Sequence, residues 1–323
     1  GKAKAAAIEA GLSPIRSPDA ELDRLTHQGV RERGNLRATT DERAFALADI
    51  VIVDVGLDVV DRGGEAALIQ KIGAQGARGG ENLRIDEAGF AAAIRAIGRN
   101  MRAGALVILE STVPIGTSER VVAPLLAEER ARRGITEPAA LAHAYERVTP
   151  GPRYVDSIRN FHRVVAGTTP EAAARARAFL SAVVDTAAYP LAELADTAAS
   201  EMAKLLENSY RAVNIAFIHE WTLLAERAGV DLFAVIDVIR RRTGTHDNIR
   251  LPGFGVGGYC LPKDALLAQW AADTYFGGDV ALDLTLKALD VNAAMPRHTF
   301  ELTREALDGA LAGRTVAVLG ISY

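Results

Sequence analysis

Cysteine occurs once in this sequence, at Cys260, and a single thiol excludes an internal disulfide framework. That usage fits a reducing, cytoplasmic setting and leaves the thiol to be judged by its surroundings. No apolar run approaches the ~18 residues of a membrane-spanning helix. The opening "GKAKAAAIEAGLSP" is basic but lacks the apolar stretch of a signal peptide. Neither charge dominates: 37 Lys and Arg stand against 41 Asp and Glu, a formal net charge of −4. The basic residues are scattered rather than striped, so nucleic acid is not an expected partner. His27, His143, His162, His219, His246 and His298 show no ligand spacing with acidic or thiol partners, and no metal is expected. There is no internal repeat and no low-complexity tail.

What is present is a chain of 323 residues, 49% hydrophobic, enough for two domains and a sizeable core. Its first part alternates strand-like and helix-like text. "LRATT" (36–40), "DIVIVDV" (49–55), "ALVILES" (105–111), "ALAHAYE" (140–146) and "RVVAGTT" (163–169) read as strands. "DERAFALA", "IDEAGFAAAIRAIGRNM", "GTSERVVAPLLAEERARR" and "PEAAARARAFLSAVV" read as the helices among them. This order predicts an α/β fold with a parallel sheet covered by helices. The glycine-rich 61–81 reads as a mobile surface excursion. From 195 to 229 neither proline nor glycine appears until the end, which predicts one long helix as the backbone of an all-helical second domain. "VDLFAVIDVIRRR" predicts a further helix capped by Asp231, and "GRTVAVLGISY" a closing strand.

Gly253-x-Gly255-x-x-Gly258 spells a dinucleotide-binding turn, but the flanks are wrong. No strand precedes it, and Cys260-Leu-Pro is expected to intervene before any helix, so no dipole would meet a pyrophosphate. A lone cysteine is most often a small buried hydrophobe. Cys260, however, follows four glycines, which admit a ligand, and precedes Lys263, whose charge favours a thiolate. Both readings stay open. Lys204 and Asn208 share a helical face, either as surface groups or as a pair that polarises an alcohol or carbonyl oxygen. "LESTVPIGTSER" puts the Thr112 hydroxyl at the carboxyl end of a strand, where ligands bind in parallel sheets. Glu146 sits at the equivalent end of "ALAHAYE".

In this order and spacing, "ESTVPIGT", "YERVTPG", "SEMAKLLENSYRAVNIAFIHE" and "PGFGVGGYCLPKD" resemble the nucleotide-sugar 6-dehydrogenases, which act on UDP-glucose, UDP-N-acetylhexosamines and GDP-mannose. The resemblance runs from about Ala6 to Tyr323. It implies a Rossmann-like NAD-binding domain (1–194), a helical catalytic and dimerisation domain (195–311) and the first strand of a second α/β nucleotide-binding domain (312–323). It implies an NAD-dependent, four-electron oxidation of a sugar C6 alcohol, with a homodimer formed through helix 195–229. By position, Cys260 is the nucleophile toward the C6 aldehyde. Lys204 and Asn208 stabilise the oxyanion, Asp264 orients Lys204 or a water, Thr112 positions that water, and Glu146 assists proton transfer. Val55, Gly56, Ser111, Thr112, Glu146 and Lys263 fall to the cofactor. Glu146, Arg147, Lys204, Asn208, Asn248, Arg250, Phe254, Gly255, Gly257, Gly258 and Cys260 fall to the substrate, a UDP-sugar.

The family's own G-x-G-x-x-G, with its first strand and ribose-binding acid, has no counterpart in these residues. "VDVGLDVVD" also departs from the family's Val-Pro-Thr-Pro, and "AYE" from its Ser-Pro-Glu. A chain of these residues alone is expected to bind NAD⁺ poorly. The intact catalytic set favours a sequence lacking segments over a truncated, inactive protein. Two alternatives remain at this stage: a two-electron hydroxyacid-type dehydrogenase with no need of Cys260, and a non-catalytic dimeric remnant.

Overall fold

The computed structural model describes residues 1–59 and 84–319. The excursion expected over 61–81 and the final residues from Gly320 lie outside the described residues. The chain divides into two compact units, one of residues 1–57 with 87–202 and one of 58–86 with 203–323. In chain order the strands are β1 (Ile50–Val53), β2 (Asp58–Val59), β3 (Ile85–Asp86), β4 (Leu106–Leu109), β5 (Ala140–His143), β6 (Val164–Gly167) and β7 (Ala192–Glu193).

The first unit is built on a five-stranded sheet in the order β1-β4-β5-β6-β7. β1 and β4 run parallel with Val51 opposite Val107, and β4 and β5 run parallel with Leu106 opposite Ala140. All four residues of β4 are buried, as a strand covered on both faces requires. Six α-helices lie wholly within this unit: α1 (Lys2–Glu9), α2 (Ala20–His27), α3 (Ala88–Asn100), α4 (Ala123–Ala131), α5 (Tyr154–Arg159) and α6 (Pro170–Ser181). Thr169 caps α6 by accepting from the Ala172 N–H, and Pro170 supplies the preset φ of a first turn. Ala172, Ala176 and Leu180 of α6 then pack on Leu106, Ile108, Ala142 and Val165 of the sheet.

Three sequence expectations are corrected here. Residues 36–40 form no strand, because no neighbouring strand offers them a ladder. Residues 42–47 form a 3₁₀ helix rather than an α-helix, capped by the Asp41 carboxylate on the Arg43 N–H. The sheet is also not wholly parallel: β6 runs antiparallel to β5, with Ala142 opposite Gly167. The cause lies in the connection, which begins and ends at one edge of the sheet instead of crossing back. The Arg163 guanidinium holds the returning chain there, donating to Glu110 at 2.8 Å and to the Ala144 carbonyl at 3.0 Å. α5 is thus an excursion at that edge, which β-α-β alternation cannot distinguish from a crossover.

In the second unit β2 and β3 pair antiparallel. Helix α7 (Thr197–Ala228) starts within the first unit and continues through the second, about 48 Å at 1.5 Å per residue. Its length follows from the absence of breakers, and Gly229, at φ 67°, ends it in the left-handed conformation that other residues resist. Helices α8 (Leu232–Arg240), α9 (Cys260–Tyr275) and α10 (Asp283–Ala306) complete the unit. Asp231 caps α8 as expected, accepting from the Phe233 and Ala234 N–H groups. The core brings Ala212 of α7 against Ala265 and Leu266 of α9 and Leu286 and Leu289 of α10, with Val59 of β2 at its margin. The expected closing strand does not form over 314–319: Val316, Val318 and Leu319 are exposed and pair with no strand among the described residues.

Helix and sheet approach closely at Gly167, where a Cβ would lie 2.3 Å from the Ala173 N and 2.7 Å from the Thr169 carbonyl oxygen. Both neighbours are backbone atoms and cannot swing aside. Gly167→Ala is expected to lower stability by on the order of 3 kcal/mol, read as a shifted urea midpoint with an unchanged slope.

Candidate active site

Three parallel strands of the first unit end at one edge, and the polar residues that follow them gather there. Ser111 is buried after β4, and its Oγ accepts the Val55 N–H at 2.8 Å and donates to the Val53 carbonyl at 3.3 Å. One hydroxyl thus ties the end of β1 to the end of β4, leaving Gly56 exposed and Thr112 half-buried beside it. Glu146, beyond β5, is half-buried and accepts the Val148 N–H at 2.5 Å. Arg147 stacks over the Tyr145 ring and donates to the His162 carbonyl, so much of its guanidinium is held by its own unit. Burial pushes the Glu110 carboxyl up, although Arg163 opposes this.

Glu201, which the sequence reading passed over, is 1% exposed at the start of α7. Its carboxylate accepts the Gly116 N–H at 2.5 Å and the Ser118 N–H at 2.8 Å. These amides open the helical stretch that leads into α4, and such a start leaves N–H groups in need of acceptors. Next to it, the Ser200 Oγ lies 2.8 Å from His143 Nδ1, both buried. Burial pushes the Glu201 carboxyl up to about 7, outweighing the lowering by the Ser118 side chain and by the Ser118 and Gly116 N–H groups. The signal was legible in "SEMAK": Glu201 lies three residues before Lys204, on the same helical face.

In the second unit, Lys204 and Asn208 are both buried on α7. The Asn208 Nδ2 donates to the Asp264 Oδ2 at 2.6 Å, and Asp264 is fully buried. This hydrogen bond holds the Asn208 amide in one orientation. Cys260, half-buried, is the first residue of α9. That corrects the expectation that Cys260-Leu-Pro precedes the helix. Pro262 falls in the first turn, where its missing N–H is no loss. A helix start carries partial positive charge, a general setting for reactive cysteines. Asp264 follows one turn later. Lys263 is buried, its Nζ 4.3 Å from the Tyr259 ring centroid and 4.0 Å from the Asp264 Oδ1.

No strand precedes Gly253-x-Gly255-x-x-Gly258, so the spelling is not a dinucleotide turn. Gly255 and Gly257 are exposed, and Phe254 is 76% exposed. Gly258, at φ 82°, takes a conformation that side chains resist. Upstream, Asn248 is exposed and Arg250 half-buried. Among the described residues no three His, Cys, Asp or Glu side chains converge as a metal site.

Residues 2–184 match the NAD binding domain of the UDP-glucose/GDP-mannose dehydrogenase family, and residues 198–294 match that family's central domain. The chain belongs to this family. It is 36% identical over 236 residues to a UDP-N-acetyl-D-mannosamine dehydrogenase of Pyrococcus horikoshii, covering 72% of this chain and 52% of the relative. It is 30% identical over 324 residues to an NDP-N-acetyl-D-galactosaminuronic acid dehydrogenase of Ralstonia nicotianae, covering 98% of this chain and 66% of the relative. The solved structure of a UDP-D-ManNAc dehydrogenase from Pyrococcus horikoshii superposes with a TM-score of 0.77 at 30% identity, covering 95% of this chain and 64% of that one. The chain therefore spans between about half and two thirds of the length of these relatives.

For this UDP-glucose/GDP-mannose dehydrogenase family member, Glu201 yields a pH signature. A carboxyl raised from 4.5 to about 7 binds its proton more tightly in the folded protein. Its stabilising contribution is full below pH 4.5 and is lost as pH rises through 7, about 3 kcal/mol over that window. Glu201→Gln is expected to remove this slope. The check is the difference between wild-type and variant unfolding free energies at several pH values from 4.5 to 8.

Proposed function

We propose that this protein is an NAD-dependent nucleotide-sugar 6-dehydrogenase that oxidises a sugar C6 alcohol to the carboxylate through a thioester on Cys260. The observation that carries this reading is Cys260 opening α9, with Asp264 one turn on and bonded to the Asn208 that shares a buried face with Lys204. Both relatives are named for N-acetylated sugars, which favours a nucleotide-linked N-acetylhexosamine as substrate.

The first unit suits the nicotinamide end of the cofactor: a glycine backbone at Gly56, the Thr112 hydroxyl and the Glu146 carboxylate stand at one sheet edge, where α/β sheets take ligands. When bound, NAD⁺ supplies the acceptor for both oxidations. The Cys260 thiolate adds to the aldehyde carbon, forming a C–S bond and placing negative charge on the oxygen. The Lys204 ammonium and the Asn208 amide are the groups to hold that charge, Asn208 being kept in one orientation by Asp264. Oxidation of this adduct leaves a thioester. Attack by water then breaks the C–S bond, releasing the carboxylate and returning the thiol. Thr112 positions that water and Glu146 moves its proton, the roles that the resemblance assigns them.

The reading also includes a homodimer and a reducing, cytoplasmic compartment that keeps the thiol reduced. One face of α7 exposes Met202, Leu206, Phe217, Trp221 and Leu224 at helical spacing, an apolar stripe suited to a second copy. No described helix is long and apolar enough to cross a membrane.

The intact protein is expected to release two NADH per nucleotide sugar, and Cys260→Ala to form no carboxylate, with turnover lowered by on the order of 10³-fold. Stoichiometric NADH counting with product analysis decides this. One NADH per wild-type turnover, with aldehyde or ketone released, would mean a two-electron dehydrogenase instead.

A further inference from the structure

Residues 241–259, between α8 and α9, form no helix or strand, yet three successive residues in the middle are each tied down. The Asn248 Nδ2 donates to the Tyr210 hydroxyl at 2.7 Å. The Ile249 carbonyl accepts from the Arg240 Nε at 3.0 Å and from its Nη2 at 2.5 Å. The Arg250 N–H donates to the Asn214 Oδ1 at 3.1 Å. Tyr210 and Asn214 stand one turn apart on α7, with the Asn214 Nδ2 3.4 Å from the Tyr210 hydroxyl oxygen, and Arg240 closes α8. None of the three was singled out by the sequence.

Ordering backbone costs about 1–2 kcal/mol per residue, so an irregular segment held at three consecutive positions reflects a requirement for one shape. The segment leads directly into Gly253–Gly258 and Cys260. Within it, the Arg250 Nε is buried and has no hydrogen-bond partner among the described residues, although the Arg250 backbone is pinned. A buried guanidinium nitrogen without an acceptor is costly unless a ligand supplies one, and anionic oxygens suit it best. Asn248, fixed from beneath by Tyr210, keeps an exposed side.

We propose that Tyr210, Asn214 and Arg240 are positioning residues that hold Asn248–Arg250 in the shape that receives the nucleotide sugar, with the Arg250 guanidinium taking one of its anionic oxygens. The inference rests on the nucleotide-sugar reading above. It assigns the three side chains to substrate binding, not to the oxidation steps. Their loss therefore weakens sugar-nucleotide binding and leaves the chemistry of bound substrate alone.

In the intact protein, Asn214→Ala is expected to raise KM for the nucleotide sugar about tenfold, the worth of one hydrogen bond. kcat is expected to stay within about twofold, with KM for NAD⁺ unchanged. Asn214→Asp keeps an acceptor for the Arg250 N–H and is expected to restore KM. Hydrogen exchange at the Arg250 amide should accelerate in Asn214→Ala and stay slow in Asn214→Asp. An unchanged KM, or a fall in kcat with KM for both substrates rising together, overturns the role. Unaltered Arg250 exchange in Asn214→Ala overturns the tether itself. A wild type that turns over no nucleotide sugar overturns the functional reading and this role with it, an outcome distinct from either.

Discussion

Helix α7 carries polar side chains on its buried face, and the buried polar groups must find partners there. Ser200, Glu201, Lys204 and Asn208 are all buried, whereas Met202, Leu206, Phe217 and Trp221 are exposed. A buried polar group without a hydrogen bond loses its hydration and gains nothing in return, so each partner's position is constrained in turn. His143 meets Ser200, the Gly116 and Ser118 amides meet Glu201, and Asp264 meets Asn208. An ordinary amphipathic helix would bury its apolar stripe. This helix also buries Leu205, Ala212, Ala216 and Ile218, and its buried polar groups share that face because defined acceptors and donors meet them.

The two carboxylates that serve this helix are held in different ways. Glu201 accepts the Gly116 and Ser118 backbone N–H groups, and burial dominates its proton affinity. Asp264 accepts from a side-chain amide and has the Lys263 ammonium near its other oxygen. The first arrangement fixes backbone at a helix start; the second fixes the rotamer of a side chain proposed to face substrate. Similar chemistry thus serves structure in one place and the proposed reaction in the other.

Much of the fold was legible because its signals are local. Ile50–Val53 and Leu106–Leu109 are short β-branched and leucine runs of buried-strand length. Asp231 stands where a cap is needed, and the stretch before Gly229 has nothing to stop a helix. The antiparallel β6 was not legible: the direction of a strand depends on whether the preceding connection crosses the sheet, and the contacts that accompany the return, Arg163 with Glu110 and Ala144, are distant in sequence. The strand expected at 36–40 failed for a related reason, since β-propensity without a neighbouring ladder specifies nothing.

The residue types of the site, and their spacing along the chain, were determined by the sequence alone: a lone thiol after four glycines, a lysine and an asparagine one turn apart, and a carboxylate four residues past the cysteine. Those are one-dimensional facts, and they sufficed for a family resemblance. Tertiary structure alone decided that Cys260 begins a helix, that Asp264 orients Asn208, and that Tyr210, Asn214 and Arg240 converge on Asn248–Arg250. Hydrogen bonds act within about 3 Å whatever the separation along the chain. Which distant groups come that close is set by how α7, α8 and α9 pack, which no local pattern encodes.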